Sequence, residues 1–402
     1  MAEQKMSGLE KLVAVSPGME IWWDASPLVF DHWQKDFLAR QEPQVRKWLE
    51  PQVKRLYVEN DPAKSLFRGC TTNPIITKKA IDILAASWAP RVDEEIAAYP
   101  KLTAGEVGWQ IYKEISRIGA GMYLPLFEQS GAREGFVSAQ VDPRVLEDTR
   151  MMVRQGLELK ALSPNIMVKV PGTEPGILAI FLLTAMGVPT NATVVFTVPQ
   201  VLAVAEAVKA GREIGLKYGV DYSRWRSVIT IMLARYEERE ELAKQAQEAG
   251  FELTEELKRW CGIAIMKKAY QLLREREYLS KLLLASTRVG PVIDGKQQIL
   301  HVEEAAGGNV VYTMSQNFIE SILLLYKDRD FAPHIEKPIP NEVLEKLLML
   351  PYFRAGYQEN GVQPEDFINL PATIFTKNQF NKAMNDFEEF VHSRQHKAIG
   401  IK

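Results

Sequence analysis

The stretch Asn165-Ile-Met-Val-Lys-Val-Pro171 and the segment that follows it decide the fold. The stretch is a short apolar run of the kind that forms a strand buried on both faces of a parallel sheet. The next apolar run, from Ile177 to Val188, is too short to span a membrane and fits a buried helix. Together they predict one strand–helix unit of an α/β fold.

Seven further apolar runs of this kind occur along the chain, beginning at residues 21, 66, 135, 190, 226, 281 and 307. Segments with helical periodicity separate them, most clearly residues 144–160 and 199–216. Eight strand–helix units are the number in a closed (β/α)₈ TIM barrel, whose catalytic groups lie at the carboxyl ends of the strands. An open doubly wound sheet is the alternative, although no Gly-x-Gly-x-x-Gly turn follows the first strand.

Two segments exceed a minimal barrel. The first connection, residues 27–65, is long and rich in Trp and charge, and we expect it to be helical. We predict that residues 1–327 form the barrel with its extra helices and that residues 328–402 form a C-terminal extension of loops and a helix. Apolar residues of that helix recur at helical spacing: Phe380, Ala383, Met384, Phe387 and Phe390. We expect this stripe to pack on the barrel or on a partner subunit, so a homo-oligomer is possible.

The composition excludes several classes of protein. The 402 residues include 49 Lys+Arg and 51 Asp+Glu, giving a net charge of −2, and 46% are hydrophobic. This balance argues against a nucleic-acid partner and against binding to an anionic membrane surface. The chain has two cysteines, Cys70 and Cys261, and its first residues lack an apolar signal core. We therefore expect a cytoplasmic protein without disulfides.

Lys169 is the most informative residue, because lysine is rarely left unpaired in a strand buried on both faces. One interpretation is a desolvated amine of lowered pKa that attacks a carbonyl group and forms a Schiff base. The alternative is a lysine at the mouth of the barrel that faces solvent or pairs with a carboxylate.

Polar residues close most of the other predicted strands, and in a barrel they converge on one mouth. They are Asp24, Thr71, Thr72, Asn73, Gln140, Asn191, Thr193, Thr230, Ser286 and Arg288. Each of the Asp, Asn, Ser and Thr residues taken singly has a simpler explanation as a helix cap or turn residue, and Asn73-Pro74 is a good turn signal.

Arg235 and Arg288 follow the sixth and seventh strands, where two guanidinium groups and the Ser286 hydroxyl suit a phosphate. The alternative for Arg235 is an ion pair with Glu237 or Glu238. The five histidines show no metal-binding spacing, so we predict no metal site. Gly-x-Ser-x-Gly and Walker-type motifs are absent from the sequence as well.

Two stretches resemble the signatures of the transaldolase family: Gly69-Cys-Thr-Thr-Asn-Pro-Ile75 and Val168-Lys-Val-Pro-Gly-Thr-Glu-Pro-Gly176. Val137-Ser-Ala-Gln-Val-Asp-Pro-Arg144 resembles the third-strand segment of the family, and Ala285-Ser-Thr-Arg288 resembles the seventh. The order of the motifs and the spacing to Asn191-Ala-Thr193 also match. The resemblance covers roughly residues 20–315.

The resemblance implies a class I aldolase barrel in which Lys169 forms a Schiff base with a ketose phosphate. Asp24 would handle the proton of the hydroxyl at the cleaved bond, and Thr193 would position a water. The resemblance places the remaining residues around the substrate: Asn73 and Asn191 at the dihydroxyacetone unit, Thr71, Thr230 and Met232 in the pocket wall, and Arg235, Ser286 and Arg288 at the phosphate. The three-carbon unit would pass to an aldose phosphate, without a cofactor, because the iminium itself is the electron sink.

Two positions depart from the pattern of the transferases. Gln140 stands where they carry glutamate, and the related fructose 6-phosphate aldolases carry glutamine there. Met232 stands where transaldolases have phenylalanine and those aldolases have tyrosine, so it favours neither. We expect the activity to be dihydroxyacetone transfer. Aldol cleavage that releases free dihydroxyacetone is one alternative, which Gln140 favours. A catalytically silent barrel that binds sugar phosphates is the other.

Overall fold

Eight parallel strands close into a barrel in the computed structural model, which describes residues 5–59 and 61–398. The barrel strands are β1 Glu20–Trp23, β2 Phe67–Thr71, β3 Phe136–Gln140, β4 Ile166–Pro171, β5 Thr190–Val195, β6 Ser227–Met232, β7 Lys281–Ala285 and β10 Val311–Met314. Their order around the barrel is β1-β10-β7-β6-β5-β4-β3-β2, and β8 (Val292–Ile293) pairs with β9 (Lys296–Gln297) in a separate hairpin. The predicted (β/α)₈ TIM barrel is confirmed, and the doubly wound alternative is wrong.

Helices surround the barrel and fill the long connections. They are α1 Gly8–Ala14, α2 Phe30–Ala39, α3 Pro43–Leu56, α4 Pro74–Ile83, α5 Ala85–Ala98, α6 Ala104–Gln129, α7 Thr149–Lys160, α8 Glu174–Ala185, α9 Val198–Lys217, α10 Leu233–Glu237, α11 Glu240–Glu248, α12 Glu255–Glu275, α13 Leu300–Glu303, α14 Gln316–Leu325, α15 Asn341–Leu348, α16 Pro351–Tyr357 and α17 Pro371–Ala398. The connection after β1 is helical, as expected. The helix predicted over 144–160 begins only at Thr149, because Asp148 caps it by accepting a hydrogen bond from the Met151 N–H.

The barrel interior below the mouth is packed with side chains. A separate buried cluster contains Trp22, Phe136, Met167, Val228, Leu283 and Val311, contributed by six different strands. Gly69 makes room for the indole of Trp22, since a Cβ at Gly69 would lie 2.8 Å from Trp22 Cε2. Side chains alternate along a strand, so Lys169, two residues after Met167, also faces the interior. The apolar layer therefore lies beneath the polar residues at the carboxyl ends of the strands.

The long C-terminal helix α17 packs against α4, α5 and α6. Phe380, Met384 and Phe387 of the predicted stripe are buried. Ion pairs join Glu388 to Arg144 and Arg394 to Asp93.

The division of the chain into a barrel over residues 1–327 and an extension over residues 328–402 stays a prediction. Residues 1–4 and 399–402 of these two segments lie outside the described residues. Nowhere in residues 5–59 and 61–398 is there a helix with the length and apolar character needed to cross a membrane.

Candidate active site

Lys169 is a buried amine at the carboxyl end of β4. Lys169 is only 5% exposed, and its register partners on the two neighbouring strands are Gln140 on β3 and Asn191 on β5. In the part of the chain that the structure describes, no carboxylate holds its Nζ by a hydrogen bond. Burial lowers the pKa of Lys169 to about 8, although the negative charge of Asp24 acts in the opposite direction. The structure therefore places a readily deprotonated amine inside the barrel.

Asp24 follows β1 and is held by a hydroxyl from the neighbouring strand. Thr71 Oγ1 donates to Asp24 Oδ1 across 2.6 Å, and the same Oγ1 lies 2.6 Å from Thr313 Oγ1 on β10. A hydroxyl has a single hydrogen, so Thr313 donates to Thr71 while Thr71 donates to Asp24. Thr313 was not among the polar residues predicted from the sequence at the strand ends. Polar residues at the carboxyl ends of barrel strands converge on one mouth, and this signal also applies to Thr313 on the eighth barrel strand.

Asn191 is fixed by hydrogen bonds at both ends of its amide. Thr230 Oγ1 donates to Asn191 Oδ1 across 2.6 Å, and Asn191 Nδ2 donates to Ser138 Oγ across 2.9 Å. All three side chains are buried. Because two contacts orient it, the amide is held in one position beside Lys169. Ser138 was also missed; it lies two residues before Gln140 and therefore on the same face of β3.

Gln140, Thr193 and Met232 complete the wall next to the lysine. The backbone N–H of Gln140 donates to Tyr112 Oη across 2.6 Å, whereas its side-chain Oε1 is buried without a hydrogen-bond partner among the described residues. Thr193 Oγ1 lies 3.9 Å from Met232 Sδ, a weak contact. A buried amide oxygen without a partner is costly in a protein interior, and a bound water or substrate hydroxyl would satisfy it.

Asn73 has a structural role as well as its predicted one. Its Oδ1 accepts a hydrogen bond of 2.9 Å from the Ile76 N–H and so caps α4, with Pro74 in the first turn of the helix. This is the helix-cap explanation considered for the strand-end residues. The cap occupies the oxygen, and the amide Nδ2 remains as the donor that a substrate could use.

Arg235 lies close to α17 rather than to its neighbouring glutamates. The expected alternative of an ion pair with Glu237 or Glu238 is wrong, because Arg235 Nη1 donates instead to Thr376 Oγ1 across 3.3 Å. The guanidinium also lies 5.2 Å from the ring centre of Phe380. Burial lowers the pKa of Arg235 to about 10, helped by the positive charge of Arg288. The half-buried guanidinium forms no ion pair with a carboxylate among the described residues, so an anion is its natural complement.

Ser286 and Arg288 follow β7, next to the start of α10. Ser286 has φ 57°, the left-handed region that residues with a side chain rarely adopt, and its carbonyl accepts a 2.9 Å hydrogen bond from the Ala234 N–H. The Arg288 guanidinium donates to Glu238 through Nε and Nη2, across 2.9 and 3.2 Å. Arg288 is thus the arginine that pairs with Glu238. The two arginines and the serine lie at adjacent strand ends.

No group of three or more His, Cys, Asp or Glu side chains in residues 5–59 and 61–398 is arranged to hold a metal ion. The reactive groups that the structure brings together are the amine of Lys169, the carboxylate of Asp24, and hydroxyl, amide and guanidinium groups. An amine of lowered pKa beside a carboxylate is suited to attack on a carbonyl group followed by proton transfer.

Comparisons with known proteins show which family the chain belongs to. The sequence model of the Transaldolase/Fructose-6-phosphate aldolase family matches residues 54–362. Transaldolase 1 of Streptomyces avermitilis is 29% identical over 211 residues, 52% of this chain and 54% of that protein. Transaldolase 2 of the same organism and the transaldolase of Mycobacterium ulcerans are each 28% identical over 63% of this chain and 70% of their own length.

The aligned part therefore spans about half of the first relative and 70% of the other two. The family match contains the strands from β2 onward, and β1, Asp24 and α17 lie outside it. The match includes Lys169, Asn191 and both arginines of the candidate site. The chain belongs to the Transaldolase/Fructose-6-phosphate aldolase family.

Proposed function

We propose that this protein transfers a dihydroxyacetone unit from a ketose phosphate to an aldose phosphate through a Schiff base on Lys169. The observation that carries the proposal is the buried amine of Lys169, whose pKa is lowered to about 8. At pH 7 about one lysine in ten of this pKa is neutral, compared with fewer than one in a thousand at an ordinary lysine pKa of about 10.4. Neutral amine is the nucleophile.

The first step forms a carbon–nitrogen bond. Lys169 Nζ attacks the C2 carbonyl carbon of the ketose phosphate, and the resulting carbinolamine loses water to give a protonated iminium. The water takes away the carbonyl oxygen, and this step needs protons moved to and from that oxygen. Gln140 has an amide, which cannot act as a general acid or base but can orient a water that does. Thr193 is the second group proposed to position that water.

The second step breaks the C3–C4 bond. Asp24 accepts the proton of the C4 hydroxyl, the C3–C4 electron pair moves toward the iminium nitrogen, and an aldose phosphate leaves. An enamine remains on Lys169. The hydrogen bond from Thr71 orients the carboxylate of Asp24, which is proposed to accept this proton.

The transfer is completed by the reverse sequence with a different aldehyde. The enamine carbon attacks the acceptor carbonyl, Asp24 returns its proton to the new alkoxide, and water hydrolyses the iminium. Asn191 and Asn73 are proposed to bind the hydroxyls of the three-carbon unit. Arg235, Arg288 and Ser286 are proposed to bind the phosphate, which fits a half-buried Arg235 that forms no ion pair with a carboxylate among the described residues.

Aldol cleavage is the second candidate, and Gln140 is the observation that favours it. In that reaction, the enamine is protonated at carbon and hydrolysed, so free dihydroxyacetone accumulates from a ketose phosphate alone. Incubation of the protein with fructose 6-phosphate, with and without erythrose 4-phosphate, separates the two activities. Transfer predicts sedoheptulose 7-phosphate only when the acceptor is present, and without the acceptor it releases no more than one equivalent of glyceraldehyde 3-phosphate per protein.

Free dihydroxyacetone without an acceptor would instead assign the cleavage reaction. Formation of neither product by a protein that still binds fructose 6-phosphate would assign the silent barrel. We also propose a cytoplasmic location, in agreement with the two buried free thiols of Cys70 and Cys261.

A further inference from the structure

Glu237 and His301 form a buried pair that the reaction above does not use. His301 Nε2 lies 2.8 Å from Glu237 Oε1, and both side chains are fully buried. The other ring nitrogen, Nδ1, accepts a hydrogen bond of 3.0 Å from the backbone N–H of Arg288. Because Nδ1 is an acceptor, the ring carries its hydrogen on Nε2 and donates it to Glu237.

Glu237 is itself held from the opposite side. Its second oxygen, Oε2, accepts a hydrogen bond from Nη1 of Arg259 on α12. One turn further along α12, Gly262 leaves the space that the carboxylate occupies, since a Cβ there would lie 2.1 Å from Glu237 Oε1. Arg259 and the backbone around Gly262 thus restrict the position of the Glu237 carboxylate, and this carboxylate in turn orients the His301 ring.

The pair connects the two arginines of the proposed phosphate site. Glu237 is the last residue of α10, two residues after Arg235, and it reaches the Arg288 backbone through His301. Glu238, the next residue, binds the Arg288 side chain. One segment thus carries Arg235 and holds both the backbone and the guanidinium of Arg288.

We infer that Glu237 and His301 are positioning residues, which fix Arg288 relative to Arg235 and so set the affinity for the phosphate group of the substrate. This inference rests on the proposed function for the assignment of phosphate to the two arginines. The operative contact is the hydrogen bond from the Arg288 N–H to His301 Nδ1, and Glu237 keeps the ring in the orientation that makes it. A purely structural role would alter stability and leave phosphate affinity as it is.

Two substitutions of His301 separate its two nitrogens. His301→Gln keeps a donor that reaches Glu237 and lacks the acceptor for Arg288. His301→Asn keeps an acceptor at the position of Nδ1. Gly262→Ala is an independent variant, because it displaces the Glu237 carboxylate from a position remote from both arginines. His334→Gln is the matched control, since His334 also bonds a glutamate, with its Nδ1 3.2 Å from Glu304 Oε1, and makes no hydrogen bond to either arginine.

The measurement is the dissociation constant of inorganic phosphate by titration calorimetry, together with KM and kcat for fructose 6-phosphate. His301→Gln and Gly262→Ala should weaken phosphate binding and raise KM about tenfold, the order expected for a lost buried hydrogen bond, with kcat falling less than KM rises. His301→Asn should stay within about threefold of the unmodified protein, because it retains the acceptor. His334→Gln should leave the phosphate affinity as it is.

Unchanged phosphate affinity and KM in folded His301→Gln and Gly262→Ala proteins would overturn the inference, as would an equal loss in His301→Asn. No phosphate binding by the unmodified protein would overturn it too. If the phosphate measurements agree but no substrate adduct forms on Lys169, the proposed function is wrong and the positioning role stands. The phosphate titration needs no turnover, so the two failures are distinguishable.

Discussion

Thr71 holds Asp24 through a hydrogen bond of 2.6 Å, and Thr313 lies at the same distance from the Thr71 hydroxyl. The three residues come from β2, the end of β1, and β10, which are adjacent around the barrel. The contact leaves the second carboxylate oxygen of Asp24 for a substrate hydroxyl. A short chain of hydroxyls therefore orients the group that is proposed to move the proton during carbon–carbon cleavage.

Removing the Thr71 hydroxyl should slow the reaction more than it weakens binding. We expect Thr71→Val to lower kcat about tenfold or more, the order of a general acid–base contribution, and Thr71→Ser to restore most of it. Steady-state kinetics with fructose 6-phosphate and erythrose 4-phosphate measure both constants. Thr77→Val is the control, because Thr77 is also buried and its hydroxyl has no hydrogen-bond partner among the described residues. Equal kcat values for Thr71→Val and the control would refute the role of the hydroxyl.

Arg288→Ala should affect phosphorylated substrates selectively. The loss of a charge-assisted hydrogen bond to phosphate predicts about a tenfold or larger rise in KM for fructose 6-phosphate, while adduct formation from free dihydroxyacetone is spared. Arg276→Ala is the matched control, because Arg276 also pairs with a glutamate, Glu359, and is similarly exposed. Equal losses with the phosphorylated and the free substrate would contradict the assignment of Arg288 to the phosphate.

Adduct formation should depend on pH with a midpoint near the lowered pKa of Lys169. Burial lowers this pKa from 10.5 to about 8, and only the neutral amine attacks, so the initial rate should rise with pH and level off above about pH 8. The folded protein binds fewer protons than the unfolded chain between these two pKa values, so its stability relative to Lys169→Met should also rise across that window. Initial rates of borohydride-trapped adduct over about pH 6 to pH 10 test the midpoint. A rate that keeps increasing toward pH 10 would show an ordinary lysine pKa.

Introducing a carboxylate at position 140 should move that midpoint upward. Gln140 is the register partner of Lys169 on β3, and a nearby negative charge favours the ammonium form. We therefore expect Gln140→Glu to raise the pKa of Lys169 and to lower the rate of adduct formation at pH 7. The pH profile of trapping measures the shift, with the exposed substitution Gln271→Glu as a control for added charge. A midpoint that stays in place or falls would argue against proximity of the two side chains.

The fold was predictable because a buried strand is followed by at least one helical segment along most of the chain. The buried strand containing Lys169 and the seven other apolar runs each became a barrel strand, and the helix predicted over 199–216 became α9, Val198–Lys217. Local patterns sufficed because βαβ units pair neighbouring strands along the chain. The helix predicted from 144 was misplaced at its start, where Pro143 and the Asp148 cap set a boundary that hydrophobic periodicity does not show.

The residues of the candidate site were predictable for each strand separately, but the hydrogen bonds between residues of different strands were not. The sequence places Asp24, Thr71 and Lys169 at strand ends, but hydrogen bonds between strands depend on the register of the closed barrel. The contacts of Arg235 with Thr376 and Phe380 join residues more than a hundred positions apart through α17. Sequence proximity pointed instead to Glu237 and Glu238, which bind other groups. Contacts of this range depend on tertiary packing.

Borohydride trapping is the most direct test of the proposed Schiff base. The protein is incubated with fructose 6-phosphate, reduced with borohydride, and examined by intact mass and peptide mapping, with Lys169→Met treated in parallel. We predict one reduced dihydroxyacetone or hexose phosphate adduct, located on Lys169 and absent from the variant. An adduct on another lysine, or an equal adduct in the folded Lys169→Met protein, would contradict this prediction.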